Sequence, residues 1–389
     1  MPRVNPQILE WARESAEIPP DLAARKLAFK DSKNGTASEK LLSLESGEKE
    51  PTQPQLVKMA ALYKRPLITF YLEQPPVVSD KGGDFRRLPE GYSREENARV
   101  DALLRDVKAR QEMVKGLLED EDEAVSLDFV GSMSMRDSVD TLVVSIREKL
   151  GVSVGNLREC RNPDDAFKYL RSKAEGLGIF VLLIGDLGSF HSAISTEVFR
   201  GFALADNMAP FIVINDKDSK AAWSFTLMHE LVHLWLGETG VSNVSSEASV
   251  ERFCNDVAGE FLLPRSEIMH VPVSQDMQIA QLISVITDFS TQTNLSKTLV
   301  AYNLLKARKI NRGQYNALSS TFRRFWREDR RASSGESGTP DYFVVRRHRM
   351  GPALISLVRR MIQDGAVTPT KAATILGVNP HAVGKVVGV

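Results

Sequence analysis

The sequence predicts an α+β protein that is mostly α, with one small sheet near the middle of the chain. Three observations carry this. Apolar residues recur at helical spacing along most of the 389 residues. Only three short runs, 178–184, 197–205 and 211–214, are β-branched or aromatic in the way buried strands are. Beyond Ala221 the helical period returns and holds to the end, apart from a polar Ser/Gly break at 332–339.

The first 70 residues read as short helices separated by breakers. Pro6 opens a helix through Ile8, Leu9 and Trp11, and a second follows Pro19-Pro20 with Asp21 at its start. A third covers about 37–44 and stops at Glu45-Ser46-Gly47; a fourth follows Pro51-Thr52-Gln53-Pro54. Pro75-Pro76 then marks a boundary. Residues 77–92 are too broken by glycine, proline and charge for a regular element and read as a linker. From 93 to about 119, Val100, Leu103, Leu104, Val107 and Val114 lie at the spacing of a long amphipathic helix. Further helices are expected at 138–150 and 164–175, ahead of the three strands.

Composition bounds the function. With 42% apolar and 26% charged residues the chain is ordinary globular material. Fifty basic residues cancel fifty acidic ones, which excludes a uniformly basic polyanion binder. No apolar run approaches the ~18 residues of a membrane span. Charges at Glu10, Arg13, Glu14, Glu17 and Asp21 interrupt the position of a secretory core, so a cytoplasmic protein is expected. Two cysteines, Cys160 and Cys254, cannot build a disulfide framework. The neutrality is a sum of unlike parts. Residues 1–75 carry +1; residues 76–296, with 22 basic and 35 acidic, carry −13; residues 297–389, with 17 and 5, carry +12. Intramolecular docking is one reading of this split. A phosphate-binding face made by Arg323, Arg324, Arg346, Arg347, Arg349, Arg359 and Arg360 is the other.

The chemistry concentrates in Phe225-Thr226-Leu227-Met228-His229-Glu230-Leu231-Val232-His233, an H-E-x-x-H run inside a helical pattern. His229 and His233 fall one turn apart on one face, where both imidazoles can hold a zinc ion. Glu230 is then placed to take a proton from an activated water and pass it to a leaving amine. Histidine is scarce, six in the chain, and two fall in this frame just after an apolar strand. A catalytic zinc takes a third protein ligand. The next helix offers Glu251, with Glu247 and Asp256 as rivals, and Asn255 one turn beyond Glu251 as a hydrogen-bonding partner. His191 and Tyr63 are polar groups considered for an oxyanion, with structural roles favoured for both. Cys254, Trp223 and Trp235 read as core residues.

Phe199-Arg200-Gly201-Phe202-Ala203, Pro210-Phe211-Ile212-Val213-Ile214-Asn215, Phe225-Thr226-Leu227-Met228-His229-Glu230 and Glu251-Arg252-Phe253-Cys254-Asn255 to Phe261-Leu262-Leu263-Pro264 together resemble the ImmA/IrrE family of zinc metallopeptidases, most closely over 176–265. The resemblance implies a zincin-like core, Zn²⁺ held by His229, His233 and Glu251, and Glu230 as general base. It implies regulated cleavage of a transcriptional repressor or similar regulatory protein in a stress or mobile-element response. Residues 5–76 resemble the helix-turn-helix module of the family's longer members, with about eight extra residues ahead of Glu45-Ser46-Gly47. That makes DNA a possible partner.

The expected organisation is a helix-turn-helix-like domain at 1–76, a linker and helical region at 77–175, the metallopeptidase core at 176–270, a helical extension at 271–331 and a basic helical domain at 340–389. The expected function is a zinc endopeptidase. The alternative is a DNA-binding regulator or antitoxin-like protein with a structural or inactive zinc site. The strand 211–214 is expected to lie at a sheet edge, where an extended peptide can add.

Overall fold

A computed structural model describes residues 4–32, 35–76, 94–237, 244–333 and 341–388, with the side chains of 94, 190, 244–248 and 329–333 left out. The expected linker at 77–92, and 334–339 of the Ser/Gly break, fall outside the described residues.

The N-terminal segment folds as α1 (Pro6–Ser15), α2 (Pro20–Lys26), α3 (Ala37–Glu45) and α4 (Gln53–Tyr63), followed by a 3₁₀ turn at Leu67–Tyr71. Local chemistry sets these boundaries. Thr36 with Glu39, and Thr52 with Gln55, form capping boxes that satisfy the first free N–H groups of α3 and α4. The helices close a core of their own around Ile8, Leu9, Leu41, Leu56, Met59, Tyr63 and Phe70. One buried ion pair crosses it: Arg13 Nε and Nη2 donate to Glu45 at 2.8 and 2.9 Å, tying α1 to α3.

The rest of the chain is a sandwich around three strands. It runs α5 (Arg94–Asp120), α6 (Val139–Leu150), α7 (Val154–Arg158), α8 (Pro163–Glu175), β1 (Phe180–Leu183), β2 (Gly201–Leu204), β3 (Phe211–Ile214), α9 (Lys220–Leu236), α10 (Val244–Leu262) and α11 (Arg265–His270). It continues with α12 (Ile279–Thr293), α13 (Lys297–Lys306), α14 (Arg312–Ser333), α15 (Tyr342–Met350), α16 (Pro352–Gln363), α17 (Pro369–Leu376) and α18 (Val383–Val387). The architecture is α+β and mostly α, as the sequence predicts.

Strand order is β1-β3-β2, with β1 parallel and β2 antiparallel to β3. This corrects one expectation: Phe211–Ile214 is the central strand, paired on both sides, and the edges are β1 and β2. Four consecutive buried residues in β3 already fit a strand covered on both faces. The second strand is also shorter than 197–205. Asn215, fully buried, donates from its side chain to the Ile194 and Phe199 carbonyls, and that holds the preceding residues as a turn.

The two-residue period divides the sheet. Val181, Leu183, Ala203, Ile212 and Ile214 face a core built with α8, α9, α10 and α13. Phe180, Leu182, Phe202, Leu204, Phe211 and Val213 face a second core built with α5 and α15–α18. The basic C-terminal segment is thus one wall of the sandwich.

A buried pair on α8 secures that wall. Arg171 donates Nη1 to the His348 carbonyl at 2.7 Å and also reaches the Arg349 and Val181 carbonyls, so it satisfies the end of α15. Glu175, bonded to Arg171 at 3.0 Å, accepts the Ala353 N–H at 3.2 Å at the start of α16. Gly351, between the helices, has φ +83°, and a Cβ there would strike Arg171 and Glu175.

The C-terminal arginines find partners within the chain, which favours the intramolecular-docking reading of the charge split. Arg346 bonds the Leu376 and Gly377 carbonyls, Arg347 the Lys385 carbonyl and Arg359 the Val387 carbonyl. Arg349 pairs with Asp186 and Asp216 at 2.9 and 2.6 Å, and Arg360 pairs with Glu123. Arg323 turns back onto Ser319, and Arg324 lies 3.9 Å from Glu328. Acidic middle and basic end attract each other. No helix among the described residues is long and apolar enough to cross a membrane.

Candidate metal centre

Two packed helices and one strand build the site. Ser219 precedes α9, and Gly237, at φ +67°, ends it with backbone bonds to His233 and Leu234. Between them the helix buries Leu227, Met228, Leu231 and Val232 against the sheet and α10. α10 answers with Cys254, Val257, Ala258 and Phe261. This packing fixes the rotation of each helix and turns His229, His233 and Glu251 toward one point.

His229 Nε2 lies 3.2 Å from His233 Nε2, and the Glu251 oxygens lie 3.1 Å from His229 Nε2 and 3.3 Å from His233 Nε2. A tetrahedral cation with ligand bonds of about 2.0–2.2 Å sets its ligand atoms roughly 3.3 Å apart. The three donors therefore fit such a cation. His229 Nδ1 is 3.1 Å from Asn255 Oδ1, a pure acceptor. The ring proton is thereby on Nδ1, and the Nε2 lone pair faces the shared point.

The carboxylates differ by environment. Burial works against ionised Glu251, but His229 and His233 beside it, when both rings are protonated, hold its carboxyl well below the usual range, even with the side chain 55% exposed to solvent. Glu230 is enclosed. Burial pushes its carboxyl up to about 8, with His233 opposing and Glu251 adding to the rise. Its neighbour across the site is the start of β2, where a Cβ on Gly201 would lie 2.9 Å from Glu230 Oε1 and 2.5 Å from Thr226 Cγ2.

Of the rival ligands, Asp256 points to Lys306 at 2.6 Å, and the Glu247 side chain falls outside the described residues. Tyr63 is buried in the N-terminal core, and His191 is exposed in a 3₁₀ turn at Phe190–Ser192; neither joins the converging groups. Trp223 and Trp235 are core residues, with Trp235 stacked on Phe129 at 4.5 Å. Cys254 is fully buried, and its Sγ is 3.9 Å from His233 Nδ1. Gly201, Thr226 and Asn215 also shape the site, although none is among the functional residues expected from sequence. The close approach of Gly201 to α9 has no signal in one sequence, whereas a polar Asn directly after an apolar strand was a legible one.

Two histidines one turn apart on a helix, a carboxylate from the next helix and a small mixed sheet alongside define the class, a zincin-like core of metallopeptidase type. Residues 175–304 match the peptidase M78 family, the IrrE N-terminal-like domain, and this match supports the likeness of that segment to the ImmA/IrrE family. The match supports a metallopeptidase-like function and, with it, a protein substrate. No curated protein and no solved structure matches the chain.

Proposed function

We propose that the protein is a zinc-dependent endopeptidase that cleaves a transcriptional repressor or a similar regulatory protein. The observation that carries this is the convergence of His229, His233 and Glu251 at 3.1–3.3 Å with the enclosed Glu230 carboxyl on the same helix. His229, His233 and Glu251 hold Zn²⁺. When bound, the ion supplies Lewis-acid polarisation of a carbonyl and makes a nearby water more acidic. Glu230 acts as general base and then general acid, moving one proton from the attacking water to the leaving amine. Asn255 keeps His229 in the tautomer that ligates.

The substrate lies along β2, the edge strand beside Glu230. Arg200 O accepts from Asn215 N–H, so pairs with β3 alternate through 200, 202 and 204. By that alternation the N–H and C=O of Gly201 and Ala203 point away from β3. They offer an extended peptide its hydrogen bonds.

The alternative, a DNA-binding regulator, rests on the N-terminal helices. The outward residues of α3 are Glu39 and Leu42, and Lys40 is bonded to the Lys30 carbonyl at 2.6 Å. Such a surface favours a protein over a polyanion. A gel shift across salt concentrations tests DNA contact separately.

The test of the peptidase is metal analysis of purified protein together with cleavage of the repressor-like protein encoded nearest to it, by wild type and Glu230→Gln. Stoichiometric zinc with at least a ~100-fold loss of turnover in the variant is expected. No zinc, or equal cleavage by both proteins, defeats the reading.

A further inference from the structure

The geometry points to Cys254 as a positioning residue for His233: its sulfur accepts a hydrogen bond from Nδ1–H and leaves the Nε2 lone pair of His233 for the metal. The inference rests on the metal centre proposed above and adds a residue to it.

Glu251, Cys254 and Asn255 stand at i, i+3 and i+4 on α10, so they share one face. That face meets His229 and His233, one turn apart on α9. Glu251 touches both rings at Nε2. The other nitrogen of each ring is met by a different neighbour, Asn255 Oδ1 at 3.1 Å for His229 and Cys254 Sγ at 3.9 Å for His233. One turn of α10 thus supplies the third ligand and an acceptor for each histidine.

The sulfur is on the far side of the His233 ring from the point where the three donors converge, so it is no fourth ligand. It is fully buried, and water does not reach that ring edge from its side. An imidazole that ligates through Nε2 must keep its proton on Nδ1, and that proton needs an acceptor. A thiol is a weak acceptor, and 3.9 Å is a long contact even for sulfur. His233 is accordingly the more loosely oriented of the two histidines. Its orientation depends on what occupies position 254.

The test measures zinc affinity by chelator competition in the full-length protein for wild type and for Cys254→Ala, Cys254→Val and Cys254→Ser. Alanine and valine bracket cysteine in size and remove the acceptor; serine keeps one. Thermal melts without metal check that each variant folds. The expected result is a loss of about tenfold in affinity for both alanine and valine, with serine restoring most of it. Long-range ¹H–¹⁵N spectra of the zinc-loaded wild type should show the His233 proton on Nδ1. Valine binding as tightly as cysteine, or serine binding as weakly as valine, overturns the role of Cys254 while the metal centre stands; a His233 proton on Nε2 in the zinc-loaded protein removes His233 Nε2 from the ligand set, and this role with it. A wild type that binds no zinc removes the centre, and this role with it.

Discussion

Gly201→Ala tests the link between the fold and the site. Gly201 begins β2 where that strand passes closest to α9, and a methyl group there would meet Thr226 Cγ2 at 2.5 Å, Glu230 Oε1 at 2.9 Å and the Val213 carbonyl at 3.0 Å. Carbon atoms in contact sit about 3.5–4.0 Å apart. Relief of the Thr226 clash therefore needs a movement of about 1 Å. Val213 belongs to the central strand and Thr226 to a helix buried on the sheet, so β2 itself must give way. Overpacking of this kind costs about 1–3 kcal/mol. A misplacement of about 1 Å next to a reacting group costs on the order of 100-fold in rate. Metal binding should survive, because His229, His233 and Glu251 all sit on helices. The assays are urea denaturation, zinc stoichiometry and cleavage of the protein substrate. A variant with full stoichiometric zinc, stability lowered by 1–3 kcal/mol and turnover nearly abolished is expected. Unchanged stability and turnover would refute the argument that β2 must stand this close to Glu230.

Other perturbations separate the parts of the molecule. Arg13→Ala leaves Glu45 charged and buried, with an expected cost of about 3–5 kcal/mol confined to the N-terminal helices; a first melting transition at lower temperature, with zinc binding unchanged, is the readout. Removal of residues 341–388 strips α15–α18 from the sheet and exposes Phe180, Leu182 and Phe202; the truncated protein should aggregate on size exclusion and bind a hydrophobic dye. Asp186 titrates with the docking of α15. Burial works against its charge, yet Arg349, the Gly188 N–H and Lys217 hold its carboxyl below the usual carboxylate range. A depressed folded value means that the stabilisation is complete above that range and is lost as pH falls through it. Thermal stability should therefore fall at acid pH, with a shallower slope in Asp186→Asn.

Much of the site was legible because its signal is local. Two histidines four residues apart need only a helix to share a face, and the apolar period around them supplies that helix. The strand at 211–214 was legible for the same reason, its four apolar residues bounded by Pro210 and Asn215. The choice among Glu247, Glu251 and Asp256 was not settled by spacing. Rotation of α10 depends on how Cys254, Val257 and Phe261 pack against α9, and that packing directs Glu251 inward and Asp256 to Lys306.

The sequence by itself determined the helical periods, the small sheet and the histidine pair, since each follows from residues within one or two turns of one another. Only the tertiary structure decided that β3 is central, that β2 is the edge beside Glu230, and that the +12 segment closes the back of the sheet through Arg171, Arg349 and Arg360. Strand order and charge pairing join residues up to 237 positions apart. Pairings at that range depend on how whole layers pack, and no local period in the chain encodes them.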